Sequence, residues 1–167
     1  MSVKTPSGRS FWLMKSEPEE FSIDSLARVT SEPWTGVRNY QARNFMRDNM
    51  KPGDGILFYH SNCETPGIVG LARVASEAYP DPTQFEPASE YYDAKSSPEA
   101  PRWVLVDVAF DRKFADTISL QTLRDHADRL DDFALVRRGN RLSVLPVTAA
   151  QWDYILSLEP GATDVSR

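Results

Sequence analysis

The sequence predicts a mixed α+β fold, a small mixed β-barrel with flanking short helices. Apolar runs of strand length recur along the chain, stretches of helical spacing lie between them, and glycine and proline keep each element short. At 167 residues the chain has the size of one domain able to bury a sizeable core.

Taken in order, Ser10 to Lys15 is rich in aromatic and apolar residues, a strand buried on both faces and so expected inside a sheet, and Ser16-Glu17-Pro18 ends it. Ser22 caps a short helix with Ile23, Leu26 and Ala27 on one face, and Val29 to Pro33 leads out of it. From Asn39 to Met50 the spacing is helical, with Ala42, Phe45, Met46 and Met50 on one side and Arg43 and Arg47 on another, stopped by Pro52-Gly53. Gly55 to His60 and Ile68 to Val74 form a hairpin whose tip, Ser61 to Gly67, is polar. Tyr79 to Pro101 lacks periodicity and is expected as a long ordered excursion. Arg102 to Phe110 is a strand, and a helix opens at Ile118 toward His126. Phe133–Val136 and Leu142–Leu145 are short apolar segments on either side of Arg137-Arg138-Gly139-Asn140-Arg141. Thr148 with Gln151 forms a capping box for the last helix. Residues 1–9 are expected as a disordered lead and 159–167 as a tail.

Composition narrows the function classes. No run approaches the roughly 18 apolar residues of a membrane helix, and the mean hydropathy of -0.45 is ordinary. One cysteine, Cys63, makes no internal disulfide, and with two distant histidines no zinc site, so a reducing, cytoplasmic compartment is the default, or a nuclear one in a eukaryote. The net charge of -5 argues against generic polyanion binding. Yet Trp34–Lys51 and Val136–Leu142 are locally basic while Ser76–Ala100 is acidic, a pattern suited to an anion bound on one face. Asp81, Glu86, Glu90 and Asp93 lack calcium-loop spacing and read as a solvated acidic loop; no metal or cofactor is expected.

Trp34 to Asn44 mixes aromatic, arginine and amide side chains in a way that neither a core nor a solvated helix favours. Such side chains suit base stacking, phosphate pairing and base-edge recognition, although a buried loop with Trp34 and Tyr40 as core uses the same residues. Lys15-Ser16 ends a strand, where side chains reach a barrel mouth. His60-Ser61-Asn62-Cys63 invites a thiol nucleophile, but with no orienting group it reads better as a polar pocket wall. His126 is expected to be exposed, and Trp103 and Trp152 to be core.

Together, Phe11 to Pro18, Trp34 to Asn44, Tyr59 to Cys63, Pro66 to Gly70, Ala78 to Asp81, Tyr91 to Asp93, Arg141 to Val144 and Pro146 to Thr148 resemble the EVE domain family over 10–158 as one domain. The resemblance implies a PUA-like fold, akin to YTH and SRA-type readers, and a non-catalytic module that binds DNA or RNA carrying a modified base in an aromatic-walled pocket. It implies a base pocket of Trp12, Lys15, Ser16, Trp34, Thr35, Gly36, Asn39, Tyr40, Tyr59, His60, Ser61, Asn62 and Cys63, with Thr35 and Gly36 offering backbone groups to the base edge. Arg38, Arg43, Arg137, Arg138 and Arg141 are the expected phosphate ligands. No second cage tryptophan follows Gly70, so Trp12, Tyr40 or a loop aromatic has to face Trp34. The alternative on the same fold is a hydrolase or base-modifying enzyme using Lys15, His60 or Cys63. A monomer that engages nucleic acid and no membrane is the expected form.

Overall fold

A computed structural model describes residues 8–159, so the expected lead and tail lie outside the described residues except for Gly8, Arg9 and Glu159. The chain runs β1 (Phe11–Ser16), α1 (Ile23–Val29), β2 (Ser31–Pro33), α2 (Tyr40–Asp48), β3 (Gly55–His60), β4 (Gly67–Val74), β5 (Tyr79–Pro80), β6 (Val104–Leu105), β7 (Asp107–Ser119), α3 (Leu120–Asp125), β8 (Val144–Val147) and α4 (Ala149–Ser157). Both helix caps predicted from the sequence, at Ser22 and Thr148, are formed, and Asn39 adds a third. Ser22 accepts from Ser25 N–H, Asn39 from Ala42 N–H, and Thr148 and Gln151 make the reciprocal box.

Six strands form one curled half-barrel sheet in the order β2-β7-β4-β3-β1-β8, and β5 pairs with β6 apart from it. β1 lies inside the sheet, parallel to β3 and antiparallel to β8. Its side chains alternate between two apolar clusters: Phe11 and Leu13 face the one that includes Trp152 and Ile155 of α4. Trp12 and Met14 face the other, with Leu26 of α1 and Met46 of α2. A strand flanked by helices on both faces has no solvent side, which is why its sequence is apolar at every position from Phe11 to Met14. Trp103 and Trp152 are buried as expected.

Three elements differ from expectation. Val29–Pro33 is not only a lead-out, because Ser31–Pro33 pairs with β7 at the sheet edge. β7 runs on past Phe110 to Ser119, 13 residues in all, and its exposed Asp111-Arg112-Lys113 hid that continuation because only Phe114 and Ile118 beyond them are buried. Phe133–Val136 contains a single 3-10 turn at Ala134–Val136. In addition, His126 is partly buried and shares a 2.7 Å hydrogen bond with the Tyr154 hydroxyl. Among the described residues no helix is long and apolar enough to cross a membrane.

Candidate functional site

Parallel pairing creates the site. With Ser16 opposite His60, β1 and β3 end at the same sheet edge, and Ser61 N–H donates to Ser16 O at 3.0 Å, extending the ladder by one step. Two segments 45 residues apart, Lys15-Ser16 and Ser61-Asn62, thereby become one wall. Asn62 turns the chain with φ 55, a left-handed conformation that asparagine tolerates. Facing it, the chain leaving β2 is tied down by Trp34 N–H to Val106 O at 3.0 Å and continues as Thr35 to Arg38. Between the walls lies a cavity of about 920 Å³, lined also by Phe21, Tyr91, Arg141 and four glutamates, Glu17, Glu20, Glu32 and Glu90.

Asp81 organises the second wall. It is fully buried, contrary to the solvated acidic loop expected of it, and accepts from Gly36 N–H (2.8 Å), Arg38 (3.0 Å), Thr83 N–H (2.8 Å) and the Thr83 hydroxyl (2.5 Å). Burial pushes its pKa up, but the hydrogen bonds from Thr83, Gly36 and Arg38 together outweigh burial and hold it below the ordinary carboxylate value. Gly36 has φ +91, and a Cβ there would stand 2.7 Å from the Tyr91 ring, so only glycine lets Tyr91 close on the wall. Gly36 N–H is spent on Asp81 and Thr35 N–H on Pro33 O (3.0 Å), so neither donates to a base edge.

Trp34 lines the cavity but is 8% exposed, with its ring set edge-on between Phe21 (5.9 Å) and Phe58 (5.6 Å). The other aromatics that line the cavity are Phe21 and Tyr91. Of the three alternatives from the sequence, the loop aromatic is the one found at the cavity, as Tyr91, and the two named residues are not. Trp12 is core, its Nε1–H donating to Asp54 at 3.0 Å, and Tyr40 lies outside, stacked on Trp103 at 4.7 Å. Tyr91 was legible only as part of an aromatic cluster in a loop without periodicity. Burial and the carboxylates of Glu90 and Glu20 raise its pKa, so its hydroxyl keeps its proton.

The remaining expected residues divide between cavity and framework. Lys15 and Ser16 line the cavity; burial lowers the Lys15 pKa, and the Ser16 hydroxyl donates to Phe21 O at 2.5 Å. Tyr59 is buried with its ring 5.9 Å below the Lys15 ammonium. Cys63 is half-buried and outside the lining. Arg38 reaches the cavity but is bound to Asp81, Thr83 and Tyr91 O, while Arg43 is bound to Arg102 O and Asn44 and lies 4.7 Å over Tyr40. Arg141 borders both the cavity and a second hollow of about 410 Å³ lined by Asn39, Gln41 and Arg137; Arg138 borders neither.

His60 is set behind the wall, where its Nε2 accepts Ile23 N–H at 3.1 Å at the start of α1, so that lone pair is not available to a thiol. Burial lowers its pKa below 6.5. Because the neutral form is the bound one, His60 stabilises α1 above pH 6.5, and this is lost as pH falls through the lowered pKa. In an NMR titration the Ile23 amide should shift with a midpoint below 6.5. A midpoint at or above that value would rule out the acceptor role. Among the described residues no three His, Cys, Asp or Glu side chains group to hold a metal ion.

The EVE domain model matches residues 10–158. Mouse thymocyte nuclear protein 1 is 45% identical over 168 residues, spanning 90% of this chain and 74% of its own. A crystal structure from Pseudomonas syringae shares 49% identity and superposes with a TM-score of 0.86, covering 89% of this chain and 99% of that one. Human THYN1, solved in complex with 5-methylcytosine containing DNA, gives 43% identity and a TM-score of 0.84 over 92% of this chain and 99% of its own. The Mmi1 YTH domain, at 12% identity and a TM-score of 0.52, shares the fold alone, so the PUA-like, YTH-like architecture is the observed one. With a matched domain from Ser10 to Leu158 and relatives this close, the chain belongs to the EVE domain family.

Proposed function

We propose that this protein is a non-catalytic nucleic-acid-binding module that takes one modified base, 5-methylcytosine in DNA foremost, into the cavity between Trp34–Arg38 and the ends of β1 and β3. The observation that carries the reading is the cavity itself. Its volume of about 920 Å³ is that of a small-ligand site, its aromatic surfaces are Phe21, Trp34 and Tyr91, and its polar side chains include Lys15, Ser16, Ser61 and Asn62. Aromatic faces hold a base by stacking, and hydroxyl and amide groups select its edge. The complex of human THYN1 with DNA containing 5-methylcytosine supports binding as the role and names the first ligand to test. Arg141, Arg137 and Arg138 hold the backbone in this reading, since Arg38 and Arg43 are engaged within the protein.

The test is a binding titration with oligonucleotides that differ only in the methyl group. Trp34→Ala is expected to weaken binding of the methylated strand by roughly ten- to a hundredfold, because stacking contributes about 1–3 kcal/mol per base. Since Trp34 also packs on Phe58, Tyr91→Leu serves as a second variant that leaves that packing alone. Unchanged affinity in both variants, with the fold intact by circular dichroism, would remove the aromatic wall from the mechanism.

A further inference from the structure

We infer that the bound strand leaves the cavity in one direction only, across Arg141, and seats the phosphate next to the read base in the second hollow. The binding unit is then a base plus one neighbouring phosphodiester. This rests on the reading of the cavity as a base site and adds the path of the chain.

The contrast between the two adjoining hollows carries the inference. Glu17, Glu20, Glu32 and Glu90 line the cavity, and a phosphate passing that side would meet like charge. The second hollow has no carboxylate in its lining, and its charged groups are Arg137 and Arg141. Two of its amides are held in one orientation: Asn39 Oδ1 accepts Ala42 N–H at 3.0 Å and Asn140 Oδ1 accepts Leu142 N–H at 3.2 Å. With each oxygen occupied, the NH₂ end is the one left for a ligand, and among the described residues neither NH₂ has a protein partner. Arginine forks and oriented amide donors converging on one small hollow suit a phosphate oxygen set, whereas the mixed charges of the cavity suit a neutral base. Phe45, Leu142 and Pro146 supply an apolar side against which a sugar can rest. Arg137 pairs with Asp132 at 3.4 Å, but both are more than half exposed, so water screens the pair and a phosphate can displace it.

The experiment scans a short 5-methylcytosine oligonucleotide in which each phosphodiester in turn is replaced by a neutral methylphosphonate. One linkage beside the modified base is expected to stand out, with affinity about tenfold lower when it is neutral. Arg137→Gln, at an exposed position that leaves the fold intact, should cost a similar factor on the parent strand and nothing more on the strand already neutral there. If methylated and unmethylated strands are still told apart but no linkage stands out, or the two losses multiply, the strand path is wrong while the base site stands. Equal binding of methylated and unmethylated strands would instead remove the base site. Inorganic phosphate alone shifting the Gln41 and Asn140 side-chain amides as strongly as the oligonucleotide would make the hollow a general anion site and overturn the path.

Discussion

Asp81→Ala is expected to lower the free energy of unfolding by about 3–5 kcal/mol, the cost of removing one partner from a buried ion pair. The loss is large because one carboxylate serves four donors in Gly36, Arg38 and Thr83, and the Arg38 guanidinium would keep only its hydroxyl and carbonyl partners. Urea unfolding measures it directly; a change under about 1 kcal/mol would mean that the network is dispensable. The acid dependence gives an independent check. A carboxyl whose folded pKa lies below the reference value of 3.8 stabilises the protein fully above that pH and stops doing so as pH falls through the lowered pKa. Asp81→Asn should therefore flatten the acid limb of the stability curve. It should also weaken binding of the methylated strand, because Gly36, Arg38 and Tyr91 would lose their common anchor.

Gly36→Ala is the second substitution with a large expected effect, a destabilisation of about 2–4 kcal/mol. About 1 kcal/mol comes from placing an L side chain at positive φ and the rest from overpacking, since the new Cβ would fall within 2.9 Å of three Tyr91 ring atoms. Gly53 supplies the control. Its φ of +96 imposes the same backbone strain, but no atom lies within 4 Å of a Cβ there, so Gly53→Ala should cost only the conformational part. The difference between the two variants isolates the contact with Tyr91, and adding Tyr91→Ala to Gly36→Ala should recover it. Equal melting temperatures for Gly36→Ala and Gly53→Ala would show that Tyr91 is not wedged on the wall.

Features settled by near neighbours in the chain were legible. The caps at Ser22 and Thr148 each need a side chain and an amide three residues apart, so spacing alone reveals them. β1 and β3 declare themselves by continuous apolar character. Features set by distant pairing were not. β2 is three residues long and ends in proline, and only its register against Asp107–Ala109 makes it a strand. Asp81 sits in an acidic stretch, and nothing nearby in sequence signals that Gly36 and Arg38 will bury it.

The candidate site follows the same division. Composition singled out Trp34 to Asn44, and the side-chain types there did mark a special segment, but tertiary structure divided it: Trp34 to Arg38 face the cavity, Asn39 faces the second hollow, and Tyr40 and Arg43 pack around Trp103. Sequence determined the two-sided burial of β1, the capped helices, the polar tip after β3 and membership of the family, because each is written in local pattern or in motif order. Only tertiary structure decided which aromatics face Trp34, which arginines are already spent, and that four glutamates share the cavity with Lys15. Those outcomes depend on contacts between segments tens of residues apart, whose pairing is fixed by the sheet register and the burial of Asp81.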